Sequence, residues 1–101
     1  VGDTIYLSVI ITESVNIDDI SSNGFIYVFP NPFSDYTILK IENTNNISHV
    51  KLLDSRGKLI REYTEILDRI KIIRDELNSG VYYIYIVYKD SEIKILPIVA
   101  D

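Results

Sequence analysis

The sequence predicts an all-β protein built as an antiparallel β-sandwich, and two observations support this prediction. Of the 101 residues, 19 are Ile, 8 are Val and 8 are Tyr, whereas Ala occurs once. Branched and aromatic side chains fit pleated sheets better than helices, which favour Ala. In addition, turn-forming clusters recur roughly every ten residues, which is the spacing typical of a β-sandwich.

Six segments from residue 25 onward are predicted strands, because each concentrates or alternates apolar residues between turn signals. They are 25–29, 36–42, 47–53, 58–63, 80–89 and 92–99. Pro30 and Pro32 end the first segment, since proline lacks a donor and forces the residue before it into an extended conformation. Asp54 and Gly57 occupy the first and fourth positions of a tight turn, which favours a type I hairpin turn.

The segment 66–77 fits two structures. Ile66, Ile70, Ile73 and Leu77 recur with the spacing of an amphipathic helix. Residues 69–72 nevertheless alternate strictly, and Ile is a poorer helix former than Leu. We predict a strand over 69–74 followed by a turn through 75–80, with a helix as the alternative.

The excess acidic charge lies near the N-terminus. The net charge is −5, and residues 1–39 contain five acidic residues but neither Lys nor Arg. Residues 4–12 read as a strand and 13–24 as a polar, acidic linker. We expect 1–24 to be the end of a preceding domain plus this linker, and 25–101 to form the sandwich. Alternatively, 4–12 is the first strand of the sandwich. Because Met is absent, we expect a piece of a longer protein.

The composition excludes several classes of function. Cys is absent, which removes disulfides, thiol nucleophiles and Cys-based metal sites. A net negative charge argues against nucleic acid and anionic membrane surfaces as partners. No apolar run approaches the roughly 18 residues of a membrane-spanning helix.

Catalytic chemistry has little support in the residues. The only His, His49, lies inside a predicted strand and is expected to be half-exposed. The acidic pairs Asp18-Asp19 and Asp75-Glu76 are adjacent in sequence, so on a strand their carboxylates face opposite ways and form no glycosidase couple. There is no Gly-rich phosphate loop and no set of three or four metal ligands. We predict a protein without enzymatic activity, cofactor or metal.

One predicted strand carries an aromatic stripe. Tyr82 and Tyr88 share one face of 80–89, and Tyr83 and Tyr85 share the other. One face of this strand must belong to the core. The rings on the other face would then be exposed, where they could bind a glycan or pack against a partner. The alternative is that Tyr is simply a favoured strand residue with a polar tip.

Four motifs in order resemble one protein family. They are Pro30-Asn31-Pro32, the Asp54–Gly57 turn between apolar runs, Leu77-Asn78-Ser79-Gly80-Val81-Tyr82, and Lys94 near the end. In this order and spacing, over about residues 25–99, they resemble the type A C-terminal sorting domain of the type IX secretion system of Bacteroidetes.

The resemblance implies an Ig-like sandwich of about seven strands at the end of a secreted or surface protein. The attached passenger would cross the periplasm and then reach the cell surface or the medium. The partners implied are the outer-membrane translocon, a sortase and the passenger, with the domain itself a monomer. The sortase would cut in the linker, at Ser21, Ser22, Asn23 or Gly24.

The motif residues also have structural roles to fill. We expect the two prolines to orient Phe33 inward, and Leu77 and Tyr82 to bracket Gly80 at a corner resembling a tyrosine corner. We expect the translocon to contact the exposed edge of the last strand, which carries Lys94. Two features depart from the family: Lys89-Asp90-Ser91 stands where Gly is common, and Pro97 interrupts the last strand.

A second function is consistent with the same residues. An Ig-like or fibronectin-like accessory module of a secreted enzyme would bind carbohydrate through Tyr83 and Tyr85, or would serve in adhesion or as a spacer. The carbohydrate-binding module predicts saturable glycan binding that falls on Tyr83→Ala without loss of fold, whereas a spacer or adhesion domain does not predict such binding.

Overall fold

The computed structural model describes residues 24–101, and these form a two-layer sandwich of seven strands. The predicted strand 4–12 and most of the predicted linker lie outside the described residues. The strands are β1 (Ile26–Phe29), β2 (Tyr36–Ile41), β3 (Ile47–Asp54), β4 (Leu59–Tyr63), β5 (Arg69–Ile73), β6 (Gly80–Tyr88) and β7 (Ile93–Ala100). The predicted strands agree with these bounds to within one residue at each end.

Two antiparallel sheets make the layers, as expected for an Ig-like sandwich. The three-stranded sheet has the order β1-β2-β5, and the four-stranded sheet has the order β4-β3-β6-β7. The prediction of an all-β sandwich is therefore confirmed. Within residues 24–101, no helix is long and apolar enough to span a membrane.

The ambiguous segment is a strand, and the helical alternative is wrong. Ile70 and Ile72 are buried while their neighbours in β5 are exposed. This alternation, which repeats every two residues, is expected for a strand that buries one face. Ile66 and Leu77 contact the core from the loops on either side of β5. The helical spacing therefore arose from residues in three different segments of the chain.

The core lies between the two sheets and is almost entirely aliphatic. Its aliphatic members without exposed surface are Leu39, Ile41, Val50, Leu52, Ile72, Ile84, Ile86 and Ile98. Burying one such side chain stabilises the fold by about 1.5–3 kcal/mol, so the core dominates the folding free energy. The single buried polar residue among those described, Thr37, donates a hydrogen bond from Oγ1 to the Pro30 carbonyl at 2.6 Å.

The last hairpin accommodates both departures from the family pattern. Ser91 adopts φ of +78°, the left-handed conformation for which Gly is usually selected, and its N–H donates to the Tyr88 carbonyl at 2.9 Å. Pro97 lies inside β7, which continues through it to Ala100. Because β7 is an edge strand, the missing N–H of Pro97 costs no ladder bond.

Candidate recognition surface

The Pro-Asn-Pro segment leaves the three-stranded sheet after β1 and attaches to the outer edge of β7. The Val99 N–H donates to Asn31 Oδ1 at 2.9 Å, and Asn31 Nδ2 donates to the Pro97 carbonyl at 3.5 Å. The Phe33 N–H donates to the Val99 carbonyl at 2.9 Å. An amide side chain and one backbone group thus replace the neighbouring strand that this part of β7 lacks.

The prolines suit this crossing because the segment has few backbone donors to satisfy. Both peptide bonds that precede them, Phe29-Pro30 and Asn31-Pro32, are cis. The side chain of Phe33 is buried, as the sequence predicts, and Phe33 forms an isolated parallel bridge with Ala100.

The prediction that the whole edge of the last strand is exposed is wrong for its second half. Val99 directs its N–H and C=O away from β6, towards the 31–33 segment. This direction alternates along an antiparallel strand, so Ile93, Ile95 and Pro97 also direct their backbone groups outward. The open part of the edge is therefore 93–95, since Pro97 has no N–H and Val99 is already bonded. Ile93 and Ile95 are 54% and 49% exposed.

Arg74 joins three segments at the same end of the sandwich. Its Nε donates to the Leu77 carbonyl at 2.7 Å, and its Nη1 donates to the Ser34 carbonyl at 3.2 Å. Its Nη2 donates to the Asp101 carbonyl at 3.0 Å and lies 3.3 Å from Ser79 Oγ. The Ser79 hydroxyl donates to the same Asp101 carbonyl at 2.7 Å. Arg74 could not be predicted from the sequence, because no local pattern indicates an Arg whose acceptors are distant carbonyls.

The Leu77–Tyr82 motif forms the corner expected from the sequence. The Tyr82 hydroxyl donates to the Asn78 carbonyl at 2.8 Å, and the ring is buried, as in a tyrosine corner. Leu77 is also buried, and its N–H donates to the Arg74 carbonyl at 2.8 Å. Gly80 has φ of +146°, a conformation that L side chains rarely adopt, although a Cβ there would meet no atom within 4 Å. Backbone conformation, not space, therefore favours Gly.

The Asp54 turn closes the β3–β4 hairpin beside this corner. Asp54 pairs with Tyr82 across β3 and β6, and its Oδ1 accepts the N–H groups of Lys58 and Arg56, each at 2.9 Å. These two bonds, that from Lys58 foremost, hold the pKa of the Asp54 carboxyl below its usual value. Gly57 has φ of +87° and donates its N–H to the Asp54 carbonyl at 3.0 Å.

The motif residues therefore meet at one end of the molecule, with one exception. Asp54 ends β3, Gly80 begins β6 opposite Ala100, and Asn31 lies against the end of β7. Lys94 lies apart, near the start of β7, where it pairs with Ile86 and is half-buried.

Tyr83 and Tyr85 lie on the outer face of the four-stranded sheet, where both are half-buried. Tyr83 lies between Leu53 and Pro97, and Tyr85 lies between Lys51 and Ile95. The two rings thus belong to an outer face across β3, β6 and β7 in which apolar side chains adjoin the charged Lys51.

The single His and the acidic side chains of the described residues form no metal-binding group. His49 is half-exposed, as predicted, with Nε2 3.7 Å from Glu62 Oε2 and Nδ1 3.0 Å from Ser48 Oγ. No group of three His, Cys, Asp or Glu side chains in residues 24–101 could hold a metal ion.

The predicted cleavage window lies almost wholly outside the described residues, since Ser21, Ser22 and Asn23 precede them. Gly24 has φ of +78°, and a Cβ there would lie 2.7 Å from Glu42 Oε1. The same Oε1 accepts the Phe25 N–H at 2.9 Å. Among residues 24–101, contacts with Glu42 of the sandwich thus already begin at Gly24, the last residue of the window, and at Phe25.

Comparison with known families agrees with these observations. The family described as "Secretion system C-terminal sorting domain" matches residues 27–99, which include all seven strands apart from one terminal residue each of β1 and β7. A search of curated proteins finds no match. With a match over this span, and with the four motifs in place on a seven-stranded sandwich, the chain belongs to the family of type IX secretion C-terminal sorting domains.

Proposed function

We propose that this domain is a non-catalytic sorting signal that the outer-membrane translocon recognises as a folded surface, so that the attached passenger crosses the outer membrane. Membership of the family supports a secretion sorting signal with type IX machinery and a passenger as partners, and delivery to the cell surface or medium. Recognition of the folded surface, transit through the periplasm and cleavage by a sortase are the further steps of the proposal.

The observation that carries the proposal is the use of the motif side chains within the fold. Asn31 is bonded to Val99, Tyr82 to Asn78, and Asp54 to the backbone of its own turn. A side chain whose polar atoms are already hydrogen-bonded within the domain has few groups left to bind a partner that recognises an extended peptide. The translocon would instead bind a surface that these residues hold in shape.

The open edge at 93–95 is the part of that surface best suited to strand addition. Its outward N–H and C=O groups lack a neighbouring strand among the described residues, and its side chains are exposed. A strand of the partner could extend the four-stranded sheet here, with backbone bonds for affinity and pockets for Ile93 and Ile95 for specificity.

An export assay tests this proposal. A periplasm-directed fluorescent protein would carry residues 1–101 at its C-terminus in a host with a working type IX system. We expect export of the parent fusion, retention of Ile95→Pro in the periplasm because the outward N–H is lost, and largely retained export of Ile95→Ala. Circular dichroism of each purified domain verifies folding. Export of folded Ile95→Pro at the parental level would contradict strand addition, and retention of the folded parent would contradict the sorting role.

Cleavage in the linker is tested on the same exported fusion. We propose that the sortase cuts within Ser21, Ser22, Asn23 and Gly24, because this window immediately precedes Phe25, whose N–H is bonded to Glu42 of the sandwich. Mass spectrometry of the released passenger should find its new C-terminus in this window. A terminus inside residues 26–101, or an uncut fusion, would contradict this assignment.

The alternative of a carbohydrate-binding module stays a prediction. Tyr83 and Tyr85 are half-buried among Leu53, Pro97 and Ile95, so only part of each ring is available to stack on a sugar. Glycan binding that Tyr83→Ala abolishes in a domain that fails to direct export would favour this alternative.

A further inference from the structure

The outer face of the three-stranded sheet combines rings and cations. Its eight side chains are Tyr27, Phe29, Tyr36, Ile38, Lys40, Arg69, Lys71 and Ile73, and we call this surface the aromatic-basic face. It contains three aromatic and three cationic side chains and no acidic one. The outer face of the four-stranded sheet differs, since its cation Lys51 lies opposite Glu62 in the register.

The strand register places these groups in rows. Tyr27, Lys40 and Arg69 form one row across the three strands, and Ile38 in the next row pairs with Phe29 and Lys71. A shallow depression of about 210 Å³ lies over the rings, and Phe29 is 68% exposed.

The three cations are unequally neutralised. Lys40 Nζ lies 3.3 Å from Asp68 Oδ2, and Lys71 Nζ lies 4.6 Å from the centroid of the Tyr36 ring. Arg69 has no ion-pair partner among residues 24–101. The face therefore retains positive charge that a carboxylate could neutralise.

A complementary segment exists in the same chain. Residues 1–23 carry Asp3, Glu13, Asp18 and Asp19 with neither Lys nor Arg, whereas 24–101 is nearly balanced, with eleven acidic and ten basic residues. These first residues lie outside the described part of the chain, which begins at Gly24, two residues before the start of β1. β1 carries Tyr27 and Phe29, so the acidic segment is tethered at the border of the face.

The tether is long enough for contact. Asp18 and Asp19 precede Gly24 by six and five residues, so their reach is up to roughly 17–20 Å at about 3.4 Å per residue. Three neighbouring strands span only about 10 Å from the first to the third. Both carboxylates can therefore reach Arg69 and Lys71 on β5, at the far side of the face.

We propose that the acidic connector, residues 13–23, binds the aromatic-basic face of its own domain, with the carboxylates of Asp18 and Asp19 paired to Arg69 and Lys71. Exposed ion pairs are individually weak, but tethering supplies an effective concentration in about the millimolar range. Binding would hold the connector against the sandwich at low ionic strength and release it at high ionic strength. This contact does not depend on the sorting role, so either proposal can fail without the other.

The absence of Cys permits a direct test in the full chain. Asn16→Cys provides a single site for a nitroxide label, and paramagnetic broadening of backbone amides then reports which surface the connector visits. We expect the amides of Lys40, Arg69 and Lys71 to broaden at low salt more than those of Lys51 and Tyr85 on the opposite sheet. The difference should vanish near about 0.5 M NaCl, where charges are screened within about 4–5 Å.

Matched variants separate specific binding from random contact. Arg69→Gln with Lys71→Gln should remove at least about half of the broadening on the three-stranded sheet, because only opposite charges favour the contact. The control Lys51→Gln with Lys58→Gln should leave it unchanged. Core amide shifts verify that each variant is folded.

Three outcomes would overturn the proposal. One is broadening that neither salt nor the Arg69 and Lys71 changes affect. Another is stronger broadening on the four-stranded sheet. In the third, the label broadens no amide of the aromatic-basic face, but the same amides shift when polygalacturonate is added. The face would then bind a soluble polyanion instead of the connector.

Discussion

Replacing Arg74 with Gln should lower the free energy of unfolding by about 2–4 kcal/mol. Its guanidinium makes two short bonds, to the Leu77 carbonyl at 2.7 Å and to the Asp101 carbonyl at 3.0 Å, and longer ones to Ser34 and Ser79. A hydrogen bond from a charged donor contributes about 1.5–3 kcal/mol. The expected loss of stability is estimated from the two short bonds. Water can replace the exposed bonds in part, which keeps the loss below the simple sum.

Urea unfolding of the purified chain measures this loss. For a domain of this size, 1 kcal/mol corresponds to about 4–8 °C in the melting temperature, so Arg74→Gln should melt roughly 8–32 °C lower. Arg74→Lys should fall in between, because an ammonium keeps the charge but not the planar set of donors. Arg61→Gln is the matched control, since Arg61 makes a single exposed bond, to the Ile73 carbonyl at 2.6 Å.

Two results would contradict this role of Arg74. A loss below about 0.5 kcal/mol in Arg74→Gln would mean that the bonds at this end of the sandwich contribute no more than ordinary surface contacts. An equal loss in Arg61→Gln would mean that removal of a positive charge, not the links between three segments, causes the effect.

Two further predictions concern the corner and the turn. Tyr82→Phe should cost about 1 kcal/mol, because it removes the bond to the Asn78 carbonyl and leaves the buried ring. Tyr85→Phe, on the outer face, should change the urea midpoint little, and equal effects would contradict the corner. The pKa of Asp54 is lower in the folded state than in the unfolded state, so its contribution is present above the unfolded value near 4 and is lost as pH falls through the folded value. Asp54→Asn should therefore reduce the loss of stability below about pH 4 in pH-dependent urea titrations, and an unchanged profile would contradict this.

The placement of the sorting motifs gives them a common physical role. Asn31 holds the end of β7, Gly80 and Tyr82 build the corner opposite it, and Asp54 closes the adjacent hairpin. Together they shape one end of the sandwich and leave 93–95 as the open part of the β7 edge. If the proposed function is correct, substitution of a motif residue should impair export because it destabilises the fold, and stability and export should be measured on the same variants.

The strands and turns could be predicted from the sequence because their causes are local. Alternation along β5 follows from burial of one sheet face, and the Asp54 turn depends on bonds that span no more than four residues. Tyr82 donates to the carbonyl of Asn78, only four residues earlier, so the corner could also be predicted from the sequence. The family resemblance rests on the same short motifs in their order along the chain.

Only the tertiary structure decided which distant groups meet. Asn31 bonds to Val99, 68 residues later, and Arg74 bonds to Ser34 and Asp101, 40 and 27 residues away. No local pattern carries such contacts, because closure of long loops depends on how the whole core packs. Pairing of β1, β2 and β5 likewise gathers three cations and three rings on one face, although β1 by itself contributes only rings and β5 only two of the cations.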